Sequence, residues 1–124
     1  MNKKEYAKEL KHTGCNCCQA VLCAFADEVG MTDEQLKKIG VAFGGGMGCM
    51  AGTCGALVGA EMVLGMAKYQ GKPMHRDAAE LHRQFESMCK ATLCKDLKGR
   101  DTGVVLCSCD DCVNNAVEIV EKML

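Results

Sequence analysis

The sequence predicts an all-α fold: a compact single-domain bundle of about five helices, with a glycine-rich loop ahead of the central helix. Three observations predict it. Apolar residues recur at i, i+3, i+4 and i+7 along most of the chain, the period of a helix with one buried face. Capping residues and glycines mark where those runs start and stop. No stretch alternates apolar and polar residues over the length of a strand, and Val104-Val105-Leu106 is too short to count as one.

The first run, Cys17 to Val29, puts Cys18, Val21, Leu22, Phe25 and Val29 on one stripe, and Gly30 ends it. Thr32 suits the N-cap of a short second helix, with Gln35 three residues later completing a capping box. Leu36 and Ile39 face inward there, and Gly40 closes the helix. The loop Gly44-Gly45-Gly46-Met47-Gly48-Cys49-Met50-Ala51-Gly52 leads into a third helix from Thr53 to about Tyr69. Its Gly55, Ala56, Gly59 and Ala60 form a small-residue face that lets another backbone approach, so this helix is expected at the centre. Pro73 suits the first turn of a fourth helix, whose core stripe is Ala78, Leu81, Phe85 and Met88. The segment from Leu93 to Cys109 is irregular, with one turn after Thr92. A last helix runs from about Cys112 to Met123 and buries Val113, Ala116, Val117 and Val120.

Length and composition narrow the function. At 124 residues the chain is treated as one domain, 1–124, with no internal repeat and no linker. Its 15 basic and 16 acidic side chains leave a net charge of −1, without the basic surplus that nucleic-acid binding needs. Trp is absent and aromatics are 4%, so stacking platforms are not expected. The start carries no apolar signal segment and no run could span a bilayer. The expectation is therefore a cytoplasmic protein with no membrane insertion. Nothing in the sequence sets the oligomeric state.

Cysteine is the anomaly, at 11 residues. In a reducing compartment such a set points to metal binding or redox chemistry rather than a disulfide scaffold, and an odd number cannot pair fully within one chain. Four cysteines follow a capping residue: Cys17 after Asn16, Cys54 after Thr53, Cys112 after Asp111, and Cys94 two residues after Thr92. Each is expected in a first helical turn, where free amides and the positive end of the helix dipole favour thiolate. Cys18 and Cys23 fall within the first helix and read as small core residues. The other five, Cys15, Cys49, Cys89, Cys107 and Cys109, are satellites: packing residues, or a second metal or resolving-thiol site.

Other motifs carry less. Gly46-Met47-Gly48-Cys49-Met50-Ala51 matches G-x-G-x-x-A but lacks the βαβ unit and the acidic residue of a dinucleotide site. Close approach to the cysteines is the better role for these glycines. His75 and His82 share a helix face with Arg76, Arg83 and Glu86 and read as solvated; His12 reads as exposed. Lys90, Lys95, Lys98 and Arg100 read as solvent-facing, able to guide an acidic redox partner.

Asn16-Cys17-Cys18-Gln19-Ala20-Val21-Leu22, Gly44 to Gly48 followed by Thr53-Cys54-Gly55-Ala56-Leu57-Val58-Gly59, Cys94 with Leu97, and Cys112 with Val113 and Ala116 resemble, in order, the boxes of the C_GCAxxG_C_C family of redox-active proteins from bacteria and archaea. The resemblance spans nearly the whole chain. It implies that the defining cysteines are Cys17, Cys54, Cys94 and Cys112, the same four that capping selects; Gly48, Gly52 and Gly55 are read as shaping their site. A related domain in split-Soret cytochromes makes an iron–sulfur site the implied cofactor, although the chain has no Cys-x-x-Cys-His for covalent haem. The extra cysteines depart from the simplest family pattern.

Three chemistries follow. The first is an iron–sulfur cluster or similar centre on the four cysteines, serving electron transfer with a redox partner protein; Cys₄ also suits zinc. The second is thiol–disulfide exchange, since Cys109-Asp110-Asp111-Cys112 is a CxxC at a helix start and Cys15 with Cys18 is another. Asp110 and Asp111 are expected to oppose thiolate formation there. The third is a soft-metal binding or sensor module associated with a transporter, although helical stripes account for most of the nine methionines. No acid–base pair or substrate pocket is evident. The chain reads as a carrier or binding module, and as an oxidoreductase if it is an enzyme.

Overall fold

A computed structural model describes residues 2–124. The elements in order are α1 (Lys3–His12), α2 (Cys17–Ala24), α3 (Ala26–Val29), α4 (Asp33–Gly40), α5 (Gly55–Lys68), α6 (His75–Cys89), α7 (Cys94–Leu97) and α8 (Cys109–Met123). Between α4 and α5, Gly44–Met47 closes one hydrogen-bonded turn, but Gly45 and Gly46 are left-handed at φ 64° and 62°, so it is a turn and not a helix. Among the described residues the extended pairing is an isolated antiparallel bridge, Thr53 with Leu93, and no helix is long and apolar enough to cross a membrane.

The fold is helical, as expected, but the helices among the described residues number eight rather than about five. One addition is α1, capped by Asn2, whose side-chain oxygen accepts from the Glu5 amide at 2.8 Å. Its apolar positions Tyr6, Ala7 and Leu10 stand alone among charges, too sparse a stripe to read. The expected Cys17–Val29 helix is broken at Phe25 (φ −112°, ψ 23°) into α2 and α3, with Gly30 closing the second. The expected turn after Thr92 is α7.

The starts of helices hold some surprises. Thr32 and Gln35 form the expected box. Asn16 and Gln19 form another: the Gln19 amide donates to Asn16 Oδ1 and the Asn16 amide to Gln19 Oε1, each at 2.8 Å. Asn16 Nδ2 also donates to the carbonyls of Gly40 and Val41, tying α2 to the end of α4. Thr53, Thr92 and Asp111, by contrast, cap nothing. Cys54 itself is the residue ahead of α5, Leu93 stands ahead of α7, and Ser108 caps α8 three residues earlier than expected. Pro73 lies before α6 rather than in its first turn.

Every residue of α2 is buried, so it is the hub, with α1, α4, α5 and α8 packed around it. The expected small-residue face is what seats α5 against it. A Cβ at Gly55 would come 2.9 Å from the Phe43 carbonyl oxygen and 3.3 Å from the Cys18 amide. One at Gly59 would come 2.9 Å from the Cys18 carbonyl oxygen. Leu81 and Phe85 of α6 and Val113, Ala116, Val117 and Val120 of α8 complete one contiguous core. Ile39 and Met88, read as inward-facing, are both 39% exposed, because each helix turns only a narrow face to its neighbours. Met47 and Met66 are also exposed, so the methionine stripes are less buried than their spacing suggests.

The two kinds of glycine in α5 make opposite predictions. Gly59→Ala should destabilise the fold by about 1–3 kcal/mol through overpacking. Gly65, with nothing within 4 Å of a built Cβ, should gain roughly 0.5–1 kcal/mol as Gly65→Ala from helix propensity. Urea unfolding of both variants measures the difference.

Candidate functional site

Cysteines from five parts of the chain neighbour one another in pairs where the starts of α2, α5, α7 and α8 and the end of α6 come together. Among the described residues the group of three whose sulfurs all lie within 4.8 Å of one another is Cys89, Cys107 and Cys112, not the four expected cysteines. Local backbone bonds make the meeting specific. The Cys54 amide donates to the Thr92 carbonyl at 2.8 Å, the Cys94 amide to Gly52 at 3.0 Å, and the Lys95 amide to Met50 at 2.7 Å. The segments carrying Cys54 and Cys94 are thus laced side by side. The Leu106 and Cys107 amides both donate to the Leu97 carbonyl, which draws the chain ahead of α8 onto the α7 turn. The glycine loop lets Cys94 in: a Cβ on Gly46 would lie 2.4 Å from Cys94 Cβ. Gly52 accommodates the side chain of Met47, and Gly48 (φ 80°) supplies a left-handed turn with open space beside it. Gly46, one of the glycines read as allowing close approach to the cysteines, is therefore the one that meets Cys94.

All 11 cysteines are free thiols. Cys17, Cys54, Cys94 and Cys112 are buried, at 7%, 2%, 6% and 0% exposure. Cys54 hydrogen-bonds to Cys112, while Cys17 hydrogen-bonds to Cys109 and feels the charge of Cys54. Cys94 feels Cys54 and Cys109. The satellites divide. Cys89 and Cys107 join Cys112, the three sulfurs all within 4.8 Å of one another. Cys109 pairs with Cys17. Cys15 lies apart, beside Cys23 and Tyr6, and Cys49 is exposed on the glycine loop with its thiol donating to the Gly46 carbonyl at 3.7 Å. The five satellites do not form one second site. Cys18 and Cys23 are core residues, each pushed up to about 12 chiefly by burial.

Lys98 is the cation of this region and was read as solvent-facing. It is half-buried instead. Its Nζ donates to the Cys107 carbonyl at 3.0 Å and to Cys112 Sγ at 3.4 Å. Burial works against its charge, but the thiolate forms of Cys112, Cys109 and Cys54 outweigh that and raise its pKa. Its position four residues after Cys94, on the same turn, was the available sign.

The thiols are not alike. The hydrogen bond that Cys17 donates to Cys109 raises Cys17 and lowers Cys109, and burial raises Cys17 further. Lys98 and Lys11 add to the lowering at Cys109. Cys54 is raised, first by its bond to Cys112 and then by burial, against which the Ala56 and Leu57 amides favour its thiolate. Burial raises Cys94 and pushes Cys107 up to about 11. Asp110 and Asp111 do not have the effect expected of them. Asp110 turns away to His12, 2.8 Å distant, and Asp111 is exposed, so Cys109, the first residue of α8, is the acidic thiol. His75 and His82 lie exposed, as expected.

A site of this kind fits soft metals and two-electron thiol chemistry equally by donor type. No curated protein and no solved structure matches the chain. A family model does match, over residues 15–123, and it bears the description "Putative redox-active protein (C_GCAxxG_C_C)". With the match running from the cysteine before α2 to the end of α8, the chain belongs to the C_GCAxxG_C_C family.

Proposed function

We propose that the protein is an electron carrier whose centre, an iron–sulfur cluster or similar metal group, is held by Cys17, Cys54, Cys94 and Cys112. The observation that carries this reading is the burial of these thiols, drawn from four separate segments, beside the ammonium of Lys98. Four thiolates in a dry site are costly unless cations offset them. A metal group supplies most of that charge, and Lys98 and the helix-start amides supply the rest. When bound, such a group takes up and gives back single electrons. The chain's part is to exclude water, to fix the sulfurs, and to donate the Lys98 N–H to Cys112. Exposed Lys90 and half-buried Lys95 offer a basic rim to an acidic partner protein. The reducing cytoplasm is the compartment in which so many free thiols would persist.

Anaerobic purification followed by iron and acid-labile sulfide analysis tests the reading. Stoichiometric iron and sulfide, lost on Cys→Ser substitution at any of the four, are expected, while Cys23→Ser should lower stability and keep the metal. Iron and sulfide absent from protein handled without oxygen would refute it. Lys98→Met should lower the reduction potential of the centre in a spectroscopic redox titration, because a positive charge and a hydrogen bond to sulfur both favour the reduced state.

A second reading draws on the Cys17–Cys109 pair. Cys109 is half-buried at the first position of a capped helix, its sulfur accepting from the Cys17 thiol. Its thiolate would attack a partner's disulfide, releasing one partner thiolate. Cys17, after losing its proton to water, would then attack the Cys109 sulfur and release the second. The partner is reduced by two electrons and Cys17–Cys109 becomes a disulfide. In metal-free protein, Cys109 should react with iodoacetamide below the pH at which ordinary thiols react, and Cys17→Ala should move that profile upward. Mass-spectrometric mapping of alkylation against pH provides the check; a Cys109 profile matching that of exposed Cys49 would exclude this route.

A further inference from the structure

We propose that Cys89, Cys107 and Cys112 form a binding site for a single thiophilic divalent cation of the zinc class. Cys89 ends α6, Cys107 lies just before α8, and Cys112 sits in the second turn of α8. Two stretches of chain, the end of α6 and the start of α8, therefore supply the three sulfurs, and all three residues are buried. Their sulfurs lie within 4.8 Å of one another. An ion that holds thiolates at about 2.3 Å sets its sulfurs roughly 3.8 Å apart, so the triad needs only a small contraction to close on one. A polynuclear cluster spreads its ligands further, and this group is too tight for one.

Side-chain donors from outside the triad already reach its sulfurs. Asn115 Nδ2 donates to Cys89 Sγ at 3.3 Å, and Lys98 Nζ donates to Cys112 Sγ at 3.4 Å. Two of the three sulfurs thus already receive an N–H from a side chain outside the ligand set, the arrangement that orients and tunes metal ligands. Simple packing of three small apolar groups would call for neither donor.

Charge selects the ion. Binding releases three thiol protons to water and leaves three thiolates. With Lys98 protonated, a divalent ion brings the buried assembly to neutrality, whereas a monovalent ion leaves it negative. Neutrality matters in a site shut off from water. The inference does not depend on the electron-carrier reading. Cys89 and Cys107 belong to the triad alone, Cys17, Cys54 and Cys94 to the redox set alone, and Cys112 stands between the two.

The test uses full-length protein purified without iron, reduced and stripped with a chelator, and titrated with Zn²⁺ in competition with a chromophoric chelator and with Cd²⁺ by its thiolate charge-transfer absorbance. One tight equivalent is expected. Cys89→Ser and Cys107→Ser should each weaken it at least as much as the roughly 10- to 100-fold expected for loss of an outer donor in Asn115→Ala. Cys49→Ser should leave it within about twofold of wild type, because that thiol is exposed on the glycine loop and bonds only the Gly46 carbonyl. Where a serine variant loses its helical circular-dichroism signal, Cys89→Ala or Cys107→Ala keeps an apolar group in the core and replaces it. The proposal fails if wild type takes up no tight equivalent, if the Cys89 and Cys107 variants bind like wild type, or if Cys49→Ser abolishes the site while Cys107→Ser retains it. Iron and sulfide content, measured separately, decides the electron-carrier reading whichever way the zinc titration falls.

Discussion

The contact between the backbones of α2 and α5 governs where every sulfur lies. Gly55 and Gly59 press against the amide and carbonyl of Cys18, closer than any side chain would permit. That contact brings the start of α2, with Cys17, to the start of α5, with Cys54. The glycine loop is then obliged to fold back over the same end, and Gly46 receives Cys94 there. The last helix packs on both α2 and α5 and delivers Cys109 and Cys112 to the same place. A few missing methyl groups decide the geometry of a whole set of thiols.

The second constraint is electrostatic. Most of these thiols are held protonated: the contacts of Cys17 with Cys109 and of Cys54 with Cys112 raise those two, with burial adding to it, and burial raises Cys94 and Cys107. Lys98 breaks the uniformity. One ammonium, close to Cys112, Cys109 and Cys54, makes negative charge tolerable on that side of the site. The result is a graded set of sulfurs, with Cys109 most ready to ionise and least buried of the group. A redox protein needs such inequality, because identical thiols could not divide the tasks of holding, donating and accepting.

Much of this was legible in the sequence, for physical reasons that can be named. The Thr32–Gln35 box, the α5 small-residue face and the α8 stripe are local patterns, and local patterns survive folding. The caps were less readable. Asp111 and Thr53 are good capping types, but Ser108 and Cys54 occupy those positions, because tertiary packing chose a different first residue for each helix. The consequence fell on chemistry: Cys109, read as a satellite, is the thiol at the start of α8. Lys98 was misread for a related cause, since its burial depends on the Cys107 turn being drawn onto α7 by bonds to Leu97 that no sequence pattern announces. The grouping of Cys89 with Cys107 is likewise a product of packing between α6 and α8.

Cys109 and Cys112 ride one turn apart on the same rigid rod, α8, with one sulfur reaching to Cys17 and the other to Cys54, Cys89 and Cys107. A bond formed at either sulfur pulls on the same lever. Mechanical coupling between the two halves of the site therefore comes with the architecture, and neither half is able to change its geometry in private.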